Sequence, residues 1–290
     1  MKSLVFLVYI SRSGSTFLAD ALNRYRDVVA TPEAGLDNSH TSLLNNNILD
    51  TEDKVRSYCD TVFKDDRFRQ WGLDREVVEN ELTGRIPADF RSVLSTIINV
   101  FAKDANAVVY KSPYVFYIHR LKELFPDARV ILIYRDIRAI YNSLTKVPDG
   151  FQHLKPENLI VTAAKFSLVK KTIQYLQEKD WFYFVKYENL ITSYQEEMSG
   201  LLSFLGAGIE QDKQGEGLLN KFDSKQSSIH ENIGKDPLSA RVEAWDGELD
   251  NTTASVLEKL AAGSMQYLGY KKKDTKASGV FRKILQEGLD

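Results

Sequence analysis

Hydrophobic and polar positions fall into blocks along this chain. Residues 4–10 form a continuous apolar run of strand length, which stops at the polar sequence SRSGST at 11–16. Phe17, Leu18, Ala21, Leu22 and Tyr25 then recur at helical spacing, so strand, loop and helix are expected in that order. DVVATPE at 27–33 offers a short second strand ending at Thr31, Pro32 and Glu33. Strand-like runs return at 107–110, 128–134 and 181–187, separated by helical segments at 115–125, 137–144 and 159–178. A last helix is expected over 252–270. Strands apolar on both faces, alternating with helices, predict an α/β fold with a central mainly parallel sheet flanked by helices.

Residues 36–106 break this alternation. They are polar and charge-rich with helical stretches, notably FRSVLSTIINVFAKDA, and read as a helical insertion covering the site. Residues 215–239, poor in apolar positions, are expected to form a mobile loop, and 271–290 a basic C-terminal tail. No repeat or linker appears, so 1–290 is read as one domain.

Composition narrows the partners. The 38 basic and 40 acidic residues leave a formal charge of -2, which argues against a general nucleic-acid or membrane-surface binder, so any anion site must be local. The single cysteine, Cys59, allows no intramolecular disulfide and fits a reducing, cytoplasmic setting; no Cys/His spacing suggests a metal site. The start MKSLVFLVYI reads as a buried first strand rather than a targeting segment, and no apolar run reaches the roughly 18 residues of a membrane span.

The first loop carries chemistry. Amides at a helix start point outward with the positive end of the dipole, and bind phosphate-like anions. Gly14 permits the turn, Ser13, Ser15 and Thr16 add hydroxyls, and Arg12 adds a charge. Two further cations, Lys111 and Arg135, end successive strands. Ser143 follows Arg135 by eight residues, about two helical turns, and its helix can return it to the same pocket. Anion sites at the first loop and at Arg135/Ser143 imply a ligand with two separated phosphates. A nucleotide-dependent kinase would need G-x-x-x-x-G-K-[ST], which is absent, and Arg135 beside Asp136 opposes a magnesium ion there.

SRSGSTFL, YKSP, LFPDARVILIYRDIRAIYNSL and KYENL...LLSFLG occur in an order and spacing that resembles sulfotransferases using 3'-phosphoadenylyl sulfate (PAPS), over roughly residues 3–206. That resemblance implies a P-loop-like three-layer sandwich and PAPS as sulfuryl donor, with 3',5'-bisphosphoadenosine (PAP) as product and no metal. It implies that Arg12, Ser13, Gly14, Ser15 and Thr16 hold the 5'-phosphosulfate, that Arg135 and Ser143 grip the 3'-phosphate, and that Tyr187 lies near the adenine. Lys111 matches a lysine that steadies the sulfuryl group in part of the family. Asp136 and Arg138 belong to the motif, with a salt-bridge or helix-start role expected of both.

YKSP lacks the histidine that cytosolic members use as base near that position. Other branches use a glutamate after the first helix, which Glu33 matches. The C-terminal segment HENIGKDPLSARVEAWDGEL departs from the glycine-rich loop of the cytosolic group, and Lys235 or Arg241 is the candidate there for the 3'-phosphate. The acceptor's identity is not legible in the sequence: a small metabolite bearing a hydroxyl or amine is the expected class, with a carbohydrate, lipid or peptide left open. A non-catalytic nucleotide-binding protein is the other alternative, disfavoured because only catalysis needs Arg12, Lys111 and Glu33 together.

Overall fold

A computed structural model describes residues 3–34, 36, 47–102, 105–112, 115–148, 158–210 and 242–273. The expected mobile loop, Lys235, Arg241 and most of the basic tail lie outside the described residues. Five strands, β1 (Ser3–Tyr9), β2 (Val28–Ala30), β3 (Ala107–Lys111), β4 (Arg129–Tyr134) and β5 (Phe182–Lys186), form one all-parallel sheet in the order β2-β3-β1-β4-β5. β3 pairs with β1 through Val5↔Val109 and with β2 through Val29↔Val108. Val5, Phe6, Leu7, Val8 and Val130 to Ile133 are fully buried, which explains their unbroken apolar runs.

The described residues divide into two compact units, one of 3–8, 16–131 and 199–210, the other of 9–15, 132–198 and 242–273. In the first, α1 (Ser15–Leu22) follows β1, and the insertion folds as α2 (Glu52–Val62), α3 (Asp66–Arg69), α4 (Arg75–Thr83) and α5 (Phe90–Phe101). Thr51, Asp65, Asp74 and Asp89 each accept a hydrogen bond from an amide of the helix they precede. Such caps contribute about 1 kcal/mol apiece, a substantial share for helices this short. Phe68 and Trp71 anchor the insertion: Phe68 packs edge-on against Phe63, and Trp71 lies 4.7 Å from Phe101 and 6.1 Å from Tyr110.

After β3, the expected helix at 115–125 is a 3-10 turn, Val115–Tyr117, followed by α6 (Ile118–Leu124). In the second unit, α7 (Ile137–Thr145) is capped by Asp136, and α8 (Leu159–Leu176) is the long helix expected before β5. α9 (Tyr187–Thr192) begins directly at Tyr187, so this residue opens a helix rather than closing the strand. α10 (Tyr194–Leu205) follows, then α11 (Trp245–Glu248), α12 (Asn251–Leu260) and α13 (Ala262–Tyr267). The last helix expected from sequence is two helices because Ala261, at φ -102° and ψ 12°, ends one and starts the next. No helix among the described residues is long and apolar enough to cross a membrane.

Candidate active site

Each described candidate residue stands at, or soon after, the carboxyl end of a strand, where parallel sheets bind ligands. In the second unit, the loop after β1 turns through two left-handed residues, Arg12 at φ 70° and Gly14 at φ 92°. Ser13 closes the turn, its amide and hydroxyl both donating to the Ile10 carbonyl at 3.3 and 2.7 Å. The Ser13 hydroxyl therefore shapes the loop from inside. The left-handed Arg12 carries its guanidinium to α7, where Nε donates to Ser143 Oγ at 2.9 Å. The structure thus joins the first loop to the residue two turns into α7.

Burial first, and the positive charge of Arg135 second, push the Arg12 pKa below its ordinary value. A guanidinium whose ionisation is opposed by burial and by a neighbouring cation, beside a helix start, forms a setting that an anion would stabilise. Arg135 also lies under the Tyr187 ring, with its guanidinium carbon 4.3 Å from the ring centre. The same ring closes over Gly14: a Cβ there would meet Tyr187 Cδ2 at 2.3 Å. Gly14 is required both for its turn and for the approach of Tyr187.

A buried network stands behind Arg135 and Tyr187. The Asp136 amide donates to Glu188 Oε1 at 3.0 Å, and Tyr270 donates its hydroxyl to Glu188 Oε2 at 2.9 Å. Burial raises the Glu188 pKa above the usual carboxylate value and outweighs these hydrogen bonds. Arg138 pairs with Asp136 at 2.6 Å and Glu258 at 2.5 Å, and lies 3.8 Å over the Trp245 ring. Asp136 and Arg138 therefore serve the fold, as expected. Glu188, Glu258 and Tyr270 were not foreseen.

In the first unit, Thr16 begins where the loop enters α1, and its Oγ1 accepts from Lys111 Nζ at 2.8 Å. Lys111 is buried at the end of β3, and its Nζ also stands 3.5 Å from Glu33 Oε2. Thr31 holds this strand end by accepting from the Lys111 amide at 3.1 Å. Arg67 Nη1 faces the other carboxylate oxygen, Glu33 Oε1, at 3.5 Å. Glu33 is thus a half-exposed carboxylate between two cations, one of which reaches the hydroxyl of Thr16. Arg67 escaped the sequence reading; its only local signal was Asp65, an N-cap residue two positions earlier.

No group of three or more His, Cys, Asp or Glu side chains among the described residues is placed to hold a metal ion. A family model described as the sulfotransferase family matches residues 5–211. Among solved structures, the sulfotransferase domain from the curacin biosynthetic pathway is similar, with a TM-score of 0.59 and 16% identity over 94% of this chain and 99% of that one. The sulfotransferase domain of the Synechococcus PCC 7002 olefin synthase gives a TM-score of 0.60 and 16% identity over 93% and 97%. At such identity the likeness establishes the fold. No curated protein sequence matches the chain.

Proposed function

The chain belongs to the sulfotransferase family, and we propose that it moves a sulfuryl group from PAPS to a hydroxyl or amine of a small acceptor, with Glu33 as general base. The observation that carries the donor assignment is the hydrogen bond from Arg12 to Ser143, which ties the first loop to α7, with the positive charge of Arg135 acting on the same Arg12. A ligand with phosphates at both the 5' and 3' positions matches that donor set. PAPS supplies the activated sulfuryl group and a bisphosphate leaving group.

The residues then divide the work. The turn held by Ser13 presents the amides at 14–16 and the hydroxyls of Ser15 and Thr16 to the 5'-phosphate end, Arg135 and Ser143 hold the 3'-phosphate, and Tyr187 borders the nucleotide. Arg12 and Lys111 neutralise charge that develops on the departing oxygen, and such preorganised cations supply most of the rate in group transfers of this kind. Glu33 accepts the proton of the attacking hydroxyl or amine. Its position 3.5 Å from Lys111 supports that role, because the lysine also reaches Thr16 at the start of α1. Lys235 and Arg241 complete the set as candidates for the 3'-phosphate.

Incubation with PAPS and a panel of small alcohols and amines, with sulfated product and PAP measured together, tests the reading. Equal release of both is expected for at least one acceptor. PAP binding without any PAPS turnover, to an acceptor or to water, would instead mark a nucleotide-binding protein.

A further inference from the structure

The insertion brings to Glu33 a side chain that the reaction above does not use. Lys111 faces Oε2 and Arg67 faces Oε1 of the same carboxylate, each at 3.5 Å. The two sides differ. The Lys111 side chain is only 7% exposed and its Nζ is tied to Thr16, whereas Arg67 is 42% exposed. Oε2 therefore faces the buried cation that reaches α1, and Oε1 the more exposed one.

Arg67 is itself aimed. Asp65 accepts from its backbone amide at 2.8 Å, from Nε at 3.2 Å and from Nη2 at 2.8 Å, which turns Nη1 toward Glu33. Burial pushes the Asp65 pKa up, but the bonds and charge of Arg67 outweigh it and hold the group ionised below the ordinary value. Packing fixes both ends of the contact. Phe68, next to Arg67, stacks in the cluster with Trp71, Trp71 packs on Tyr110, and the Tyr110 hydroxyl donates to the carbonyl of Ala34 at 2.9 Å. Ala34 follows Glu33, and Lys111 follows Tyr110.

We propose that the Asp65–Arg67 pair is a positioning device for Glu33, holding Oε1 while Lys111 holds Oε2. This rests on Glu33 as the base. At 3.5 Å both contacts are ion pairs longer than strong hydrogen bonds.

The test uses water as acceptor: its oxygen attacks sulfur, the sulfur–oxygen bond to the bisphosphate breaks, and the proton passes to Glu33, giving sulfate and PAP. PAP release from PAPS is followed for wild type, E33Q, R67A, R67K, D65N and E33Q/R67A, with PAP affinity measured by calorimetry. R67A should lower kcat about tenfold, a fraction of what a general base contributes, while the KM for PAPS and the Kd for PAP stay within about twofold. R67K should recover to within about threefold of wild type, because it restores the charge without the fork. D65N, which keeps the helix cap, should fall between wild type and R67A. Adding R67A to E33Q should cost nothing further.

Wild-type turnover in R67A would overturn the proposal, as would the same loss from R67A in the E33Q background. A loss of PAP affinity matching the loss of rate would also overturn it, by placing Arg67 in donor binding or folding. E33Q at the wild-type rate would remove the base assignment itself, and the proposal with it, which separates that failure from the others.

Discussion

Gly14→Ala probes the closest approach in the site. A Cβ at Gly14 would sit 2.3 Å from Tyr187 Cδ2 and 2.7 Å from Cε2. Carbon atoms pack best at about 3.5 Å or more, so the ring would have to retreat by roughly 1 Å. That retreat draws it off Arg135, whose guanidinium it covers at 4.3 Å. Alanine must also adopt φ 92°, in the region costing an L-residue about 1–2 kcal/mol. Overpacking adds about 1–3 kcal/mol, so Gly14→Ala should lower stability by about 3 kcal/mol. Urea unfolding measures the loss, and calorimetry should show PAP binding weakened at least about tenfold, the equivalent of about 1.4 kcal/mol. In a Tyr187→Ala background the clash is gone and Gly14→Ala should cost only the backbone part, about 1–2 kcal/mol. A Gly14→Ala variant as stable as wild type, or a cost unchanged when Tyr187 is removed, would refute the clash.

Glu33→Gln should lower kcat by about a hundredfold or more and leave PAP affinity unchanged, whereas Arg135→Ala should weaken PAP binding by about ten- to a hundredfold; steady-state kinetics with calorimetry separate the two. Arg138→Ala leaves Asp136 and Glu258 buried without their shared cation and should cost about 3–5 kcal/mol in urea unfolding. Glu188 has its pKa raised above 4.5, chiefly by burial, so the folded protein binds its proton more tightly than the unfolded chain. Its contribution to stability is then full below pH 4.5 and is lost as the pH rises through the folded value. Glu188→Gln, neutral throughout, should lack that decline in a pH series of unfolding midpoints.

What sequence could reveal was whatever lay close along the chain. The apolar runs ending at Tyr9, Lys111 and Tyr134 read as strands because they are buried on both faces, whereas the run ending at Lys186 lies at the sheet edge and leaves Phe184 exposed. The left-handed turn at Gly14 and the cap at Asp136 follow from residue type alone. Long-range pairings left no local pattern. Arg138 meets Glu258 across 120 residues of chain, and Tyr270 reaches Glu188 across 82. Nothing in DDRFR distinguishes Arg67 from an exposed arginine, because its contact with Glu33 depends on Phe68 packing against the aromatic cluster beside Tyr110. The left-handed Arg12 was hidden for a different reason: arginine has no preference for that conformation, and the hydrogen bond to Ser143 accompanies it only in the fold.

The most direct test of a two-anion donor site is a calorimetric titration with PAP, 5'-AMP and ATP, with and without magnesium, in wild type and Arg135→Ala. PAP should bind without metal and at least about tenfold more tightly than 5'-AMP, the 3'-phosphate providing a charge-assisted contact that disappears in Arg135→Ala. Equal affinity for PAP and 5'-AMP, or a magnesium-dependent preference for ATP, would contradict it.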